Sequence, residues 1–333
     1  MKRERYLDTV KLFAIFCIFL VHFVAHFKPE YSDAWREIPS LFFLKLLWGK
    51  WGVSLLGVIL GYFAFGSGEP NTAKYVIKRY FFFVLCGFFI NSIYGVLGWT
   101  GVLGAPVSFR DIVVVSLKIG DGIFSAYWCM FPFFCGSVFA YISGRAKVGY
   151  IGLICEMIIF YMMGQVWISI CLLGCLFRLL KNESVVKKLF SFLPVRLLAF
   201  AAVYLLLRHD ETDFWYFADA ALGVLMLLVI EFSGPVRKLF EWKPAASLGK
   251  IVTAVFLIHI PVYTILGGYL MKAVPISIYA VKFWVVFVIC FAASLALAYP
   301  VNALLQWINR CFGKGVNLVF SEIEKKVARQ RLG

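Results

Sequence analysis

The amino-acid sequence predicts an all-α integral membrane protein, a helical bundle of about ten transmembrane segments with both termini in the cytoplasm. Hydrophobic residues make up 62% of the 333-residue chain and charged residues only 15%, whereas soluble domains carry about a quarter charged residues. The apolar residues form runs of roughly 17 to 25 residues, the length that crosses about 30 Å of hydrocarbon. Basic residues concentrate in alternate loops between these runs.

The predicted segments are apolar runs at approximately residues 6–27, 47–66, 79–98, 122–142, 148–164, 165–181, 195–208, 213–232, 248–271 and 276–309. The first follows a basic N-terminus but lacks the short apolar core and small-residue exit of a cleaved signal peptide, so we expect a retained helix. The last is long enough to tilt or to continue past the membrane surface. We therefore predict a transmembrane domain over residues 1–310 and a cytoplasmic tail over 311–333 that forms a short amphipathic helix.

The basic residues orient this bundle. Most of the 33 lysines and arginines fall in loops that share a side with the N-terminus, which the positive-inside rule places in the cytoplasm. The weakest boundary is the turn at residues 163–165, between the fifth and sixth segments, because no charge flanks it. Since the cations are scattered through separate loops, the net charge of +15 indicates membrane orientation and no nucleic-acid partner.

The nine cysteines lie mostly inside apolar runs and form no Cys-x-x-Cys pair. No histidine lies at zinc-ligand spacing from them. We interpret the cysteines as small apolar side chains and predict no metal site.

Ionisable side chains inside the apolar runs are the candidate functional residues, because each costs roughly 2.5–3.5 kcal/mol to insert. The first segment contains Asp8, Lys11, His22 and His26. Lys11 and His22 are eleven residues apart, which places them on one helix face about 16 Å apart along the axis. The structural alternative is that Lys11 extends to the headgroups and His22 bonds a neighbouring helix.

His259 in the ninth segment is the second candidate. It lies about 15 Å from the inner end of its helix, a depth that would let the two histidines meet. Alternatively, His259 serves the backbone carbonyl that Pro261 leaves without a donor. Glu156 and Asp219 are weaker candidates, since a buried carboxylate can orient a histidine.

Several short motifs include these residues. Leu7-Asp8 is followed by Lys11 and, ten residues later, by His22. Further motifs follow in order: Trp51-Gly52-Val53-Ser54-Leu55 with Leu60-Gly61-Tyr62-Phe63, Tyr75-Val76-Ile77-Lys78-Arg79-Tyr80, Ala126-Tyr127-Trp128, and Gly249-Lys250 with His259-Ile260-Pro261. Together they resemble acyltransferase family 3, membrane enzymes that acylate hydroxyls on O-antigen, common antigen and other glycans. Lys11 stands where that family has Arg, and Phe82 where it commonly has a second Arg.

The resemblance implies a donor site at the inner surface. Acyl-CoA would enter from the cytoplasm as a substrate, with no tightly bound cofactor. Lys11, Lys78 and Arg79 would bind the anionic donor, and Asp8 would hold Lys11 through an i,i+3 pair. Trp128 belongs to the same implied site.

The resemblance also implies the chemistry. His22, helped by His259, would remove the proton from an acceptor hydroxyl as it attacks the thioester; an acyl-histidine intermediate is the alternative. The expected donor is acetyl-CoA, with succinyl-CoA open. The expected acceptor is an envelope saccharide at the cell inner membrane, with a lipid-linked sugar, a periplasmic glucan or a small metabolite open.

Two other classes of function fit a polar multi-span bundle. A transporter or flippase would use buried histidines and carboxylates for proton coupling, but the chain shows no inverted repeat or matching broken helices. A structural scaffold for envelope assembly would leave the polar residues of the first segment without a purpose. The enzyme hypothesis therefore accounts for more of the sequence.

Overall fold

The computed structural model describes residues 4–27, 51–101, 107–119, 129–206 and 213–332. Within these ranges the regular elements are helices and no strand occurs. The α-helices, in order, are α1 (Arg5–Phe27), α2 (Trp51–Phe65), α3 (Thr72–Trp99), α4 (Phe109–Leu117), α5 (Met130–Arg145), α6 (Tyr150–Met162), α7 (Val166–Leu180), α8 (Ser184–Ser191), α9 (Leu193–Leu206), α10 (Asp213–Phe232), α11 (Gly234–Phe240), α12 (Lys243–Leu248), α13 (Val252–Val262), α14 (Gly268–Ala273) and α15 (Tyr279–Leu332). A π-helical turn, Tyr263–Gly267, joins α13 to α14.

The helices support a multi-pass membrane protein. Five spans among the described residues are long and apolar enough to cross a membrane: α1, α3, most of α10, the run Val252–Ala273, and α15. The helices α2, α6 and α7 are apolar but shorter, and α8 and α9 meet at a bend of 89°. Each of the ten predicted segments contains a helix, but length and composition identify five, so the count of ten and the orientation stay predictions.

The turn at residues 163–165 separates α6 from α7, as predicted.

Several loops contain short helices that hydropathy did not predict. The short helices α4, α8, α11 and α12 were missed because each is too short for a periodic apolar pattern. One local signal was present: the Ser108 hydroxyl accepts a hydrogen bond from the backbone N–H of Asp111 at 3.1 Å and begins α4.

The predicted tail is helical over residues 311–332, and its amphipathic character and cytoplasmic side stay predictions. It continues α15 without a break through residue 332, past Pro300. Proline removes one backbone hydrogen bond, and its ring crowds the carbonyl four residues earlier. Transmembrane helices tolerate this because neighbouring groups satisfy the backbone atoms that it leaves without a partner.

The first of two compact units comprises Met1–Gly66 and Cys135–Ala298. In this unit α2 packs against α7 and α10, and α1 packs against α2, α12 and α13. The backbones of α2 and α7 come close because Gly61 has no side chain: a Cβ there would lie 1.7 Å from the carbonyl oxygen of Cys171. In lipid, where the hydrophobic effect does not drive helices together, small residues such as this glycine let their backbones pack closely.

An aromatic cluster fixes α1 within the first unit. Phe19 and Phe23 of α1 make edge-to-face contacts with Phe287 of α15, at centroid distances of 5.4 and 5.5 Å. Tyr263 contacts both α1 rings, at 5.9 and 6.2 Å. Edge-to-face pairs of this kind each contribute about 0.5–1.5 kcal/mol beyond their buried area. The cluster therefore holds α1 against the π-helical turn.

The second unit comprises Ser67–Phe134 and Tyr299–Gly333. Here α3 packs against α4, where the Asn91 side-chain amide donates to the Ser116 hydroxyl at 3.1 Å. The rings of Phe81 on α3 and Phe312 on α15 stack with centroids 3.5 Å apart. The stack of Phe81 on Phe312 joins the start of α3 to the C-terminal half of α15.

Candidate active site

Two histidines form the centre of the candidate site, in the first unit. The imidazole of His22 on α1 and that of His259 on α13 lie with ring centroids 5.3 Å apart and planes at 49°. His22 is half-buried, whereas His259 has no exposed surface. The structure confirms that the two predicted residues meet. Their roles in chemistry remain predictions.

A backbone contact fixes the protonation pattern of His259. Its Nδ1 lies 2.6 Å from the carbonyl oxygen of Phe256. A carbonyl oxygen can only accept, so Nδ1 must carry the hydrogen and donate it. In the neutral ring, Nε2 then has the lone pair and can accept a proton or a hydrogen bond.

The helix around His259 departs from α-geometry for a reason visible in the sequence. Pro261 has no N–H to donate to the carbonyl of Leu257. Two residues later the chain forms the π-helical turn Tyr263–Gly267, a local irregularity that is frequent at functional sites. The Tyr263 ring lies 6.2 Å from His259 and 5.3 Å from His26. Aromatic rings therefore surround the buried histidine.

The other end of α1 holds the predicted Asp8–Lys11 pair. Lys11 Nζ lies 2.6 Å from Asp8 Oδ1, and the carboxylate is almost fully buried while about a quarter of the Lys11 side chain is exposed. The i,i+3 pairing is confirmed. Gly249, which follows α12, packs against the backbone of the same turn: a Cβ there would lie 1.8 Å from the Asp8 carbonyl oxygen. Only glycine lets the chain before α13 approach α1 this closely.

A polar network at the start of α1 was not predicted. Glu4 accepts hydrogen bonds from the Tyr62 hydroxyl at 2.9 Å and from Lys181 Nζ. The guanidinium of Arg178 lies 4.9 Å from the Tyr62 ring centroid. Burial raises the pKa of the Glu4 carboxyl, but the bonds from Lys181 and Tyr62 and the Lys181 charge outweigh it, so the pKa lies below its ordinary value. The network ties α1 to α2 and α7.

A cluster of two ion pairs around Arg237 supports the same end of the unit. Arg237 of α11 donates to Glu231 at 2.8 Å and to Glu241 at 3.0 Å, and its guanidinium lies 5.3 Å from the Tyr6 ring centroid. Arg237 lies far from Tyr6 in the sequence, so no local pattern indicates their contact. The contacts tie α1 to α10 and α11.

Lys78 and Arg79, predicted to bind the donor, lie on α3 in the second unit. Lys78 Nζ is 3.4 Å from a carboxylate oxygen of Glu69. The Arg79 guanidinium lies 5.4 Å from the Phe83 ring centroid and 5.8 Å from that of Phe82. Both cations line a cleft of about 580 Å³ within this unit. Their role in binding the donor stays a prediction.

The remaining candidates have other surroundings. Trp128 lies outside the described residues. Glu156 accepts a hydrogen bond from the Ser143 hydroxyl at 2.7 Å, which joins α6 to α5. Asp219 is buried on α10. Over the described ranges, no group of three His, Cys, Asp or Glu side chains is placed to hold a metal ion.

Comparison with known families gives one match to nearly the whole chain. A family model described as "Acyltransferase domain" matches residues 4–303, a range that includes nearly all of the first unit, residues 67–134 and 299–303 of the second, and both histidines. Comparison with curated proteins and with solved structures gives no match. The family match ends inside α15, so its last 29 described residues lie beyond it, from 304 to 332.

Proposed function

From the premise that the chain belongs to acyltransferase family 3, we propose that this membrane acyltransferase moves an acetyl group from cytoplasmic acetyl-CoA to a hydroxyl of an envelope saccharide. The observation that carries the proposal is the His22–His259 pair, with rings 5.3 Å apart, one half-buried and one fully buried. A half-buried imidazole can meet a substrate, and a fully buried one can hold its partner in position.

His22 is the general base in this proposal. It takes the proton of the acceptor hydroxyl while the oxygen bonds to the thioester carbon; the C–S bond breaks, and the proton passes to the CoA sulfur. His259 donates from Nδ1 to the Phe256 carbonyl, which fixes the orientation of its ring beside His22, and it acts as a positioning residue. Direct transfer is preferred because it needs no covalent intermediate on either ring.

Charge supports an anionic donor. Lys11 at one end of α1 is held by Asp8, and Lys78 and Arg79 line the cleft of the second unit. Taken separately in each unit, these cations suit an anionic group such as a phosphate of CoA. The saccharide acceptor and the inner-membrane location rest on what members of the family do.

Replacing His22 tests the chemical step. We expect His22→Ala, purified in detergent, to lower acetyl transfer to supplied envelope glycans by roughly 10²- to 10⁴-fold while acetyl-CoA binding is retained. His26→Gln is the matched control, because His26 lies one turn later on α1 and its ring contacts Tyr263. Unchanged turnover in His22→Ala would contradict the assignment of the base.

His259 is tested by comparing two replacements. Asparagine can keep the bond to the Phe256 carbonyl but lacks Nε2, whereas alanine loses both. We expect both variants to lower kcat with little change in the KM for acetyl-CoA. Full activity in His259→Asn would show that only the bond to the Phe256 carbonyl matters.

Absence of both donor binding and turnover in the wild type would favour a transporter.

A further inference from the structure

The cleft of the second unit is built from two distant stretches of chain. One is residues 67–82, before and within the start of α3; the other is residues 309–317 of α15. The second stretch brings Arg310 and Lys314 to the same cleft as Lys78 and Arg79. Four cations and one carboxylate, that of Glu69, therefore line a volume of about 580 Å³. This volume lies in the range of small-molecule sites, roughly 300–1,000 Å³.

The cleft is held by packing on both sides. The Phe81 and Phe312 rings stack at 3.5 Å and hold α3 against α15 beside the cations. Glu69 lies 3.4 Å from Lys78 and 3.7 Å from Lys74, so part of the charge on α3 is already balanced. On the α15 side, Arg310 Nε donates to the Gln306 carbonyl at 3.2 Å, which positions its terminal nitrogens for another acceptor.

We propose that Arg310 and Lys314 complete a phosphate site that takes the phosphorylated adenosine end of acyl-CoA. The inference rests on the proposed function, which supplies the donor, and it extends that function to residues beyond the family match. Arg310 offers the planar pair of donors that a phosphate accepts, and Lys314, one turn away, adds a second charge. Phe82 and Tyr75 in the same cleft offer rings for the adenine.

Equilibrium binding of CoA and dephospho-CoA tests the proposal on the full-length protein in detergent. We expect Arg310→Gln/Lys314→Gln to weaken CoA binding about tenfold, a loss of about 1.4 kcal/mol, and to reduce the preference for CoA over dephospho-CoA. Lys326→Gln is the matched control, because Lys326 is exposed on the same helix and outside the cleft. Arg310→Lys/Lys314→Arg should keep most of the affinity, because it keeps both charges.

A competition experiment needs no variant. Adenosine 3′,5′-bisphosphate should displace CoA from the wild type, and adenosine should not. Equal CoA binding by the glutamine double variant and the wild type would overturn the proposal. Failure of His22 as the base would leave these binding results unchanged, so the two ideas fail separately.

The phosphate could also come from a lipid. Binding of the wild type and the double variant to nanodiscs with and without phosphatidylglycerol distinguishes the two sources. Loss of lipid binding in the double variant, with no CoA binding by the wild type, would overturn the nucleotide assignment. CoA binding that depends on Arg310 and Lys314, with equal lipid binding, would support it.

Discussion

At the scale of single residues, Glu4 links chain segments that sequence patterns cannot connect. Its carboxylate bonds to Tyr62 and Lys181, which lie 58 and 177 positions away. The depths of His22 and His259, in contrast, follow from counting residues along two apolar helices, and the structure brings the two rings together. Residue pairs were therefore predictable where helix geometry alone sets the depth, and not where long-range packing selects the partner.

The Glu4 network predicts a pH-dependent stability. The pKa of Glu4 is lowered in the folded state, so the ionised carboxylate stabilises the fold above the ordinary carboxyl range. This contribution is lost as the pH falls through the lowered pKa. We expect Glu4→Gln to reduce the stability by roughly 1–2 kcal/mol at neutral pH, measured by thermal unfolding in detergent, and the gap to the wild type to close in acid.

Glu322→Gln is the control for Glu4. Glu322 pairs with Lys325 at 2.9 Å, but both side chains are more than 60% exposed, so the pair should contribute little. A gap between Glu4→Gln and the wild type that stays constant with pH would contradict the proposed origin of the stabilisation.

At the scale of helices, Gly249 determines how closely α1 and the chain leading into α13 approach. A methyl group there would meet the Asp8 carbonyl oxygen at 1.8 Å, and backbone cannot move aside as a flexible side chain does. We expect Gly249→Ala to destabilise the protein by about 1–3 kcal/mol and to lower acetyl transfer, because it moves His259 relative to His22. Thermal unfolding and turnover measure the two effects.

Gly268→Ala provides the comparison for Gly249. Gly268 begins α14 in the same span, and a Cβ there meets no atom within 4 Å. Alanine should be tolerated or mildly stabilising at this position. Similar losses in both variants would contradict the assignment of the Gly249 effect to its close contact with Asp8.

Helix boundaries show what the sequence could and could not predict at this scale. Hydropathy located α1 and α10 to within a few residues, because lipid demands long apolar runs. It missed α4, whose nine residues carry only a Ser108–Asp111 cap as a signal. It also separated the tail from α15, because apolarity ends near residue 310 while packing of Phe312 on Phe81 continues.

At the scale of the whole molecule, the distribution of basic loops predicts ten crossings with both termini in the cytoplasm. We expect a green fluorescent protein fused after Gly333 to fluoresce, since it folds only in the cytoplasm. Alkaline phosphatase fused after residue 164, in the turn between α6 and α7, should be active outside. An active phosphatase at the C-terminus would instead require an odd number of crossings.

The class of the protein could be predicted from the sequence, whereas its tertiary packing could not. Hydropathy and the ordered motifs indicated a membrane acyltransferase, and the family match over residues 4–303 confirms that class. The contribution of Arg310 and Lys314 to the cleft could not be predicted, because it depends on where α15 packs in the second unit. Amino-acid composition indicates that the chain lies in lipid. The cleft depends on contacts between segments that are far apart in the sequence.

The bond from His259 Nδ1 to the Phe256 carbonyl has a consequence for reaction speed. Turning the imidazole over by 180° would place a C–H against the carbonyl oxygen and break the bond. If His259 positions His22 as we propose, the ring keeps one orientation through repeated turnovers, and little rotational entropy is lost when the reaction begins. An enzyme with this restraint should show the same barrier in its first turnover as in later ones, with no slow activation phase.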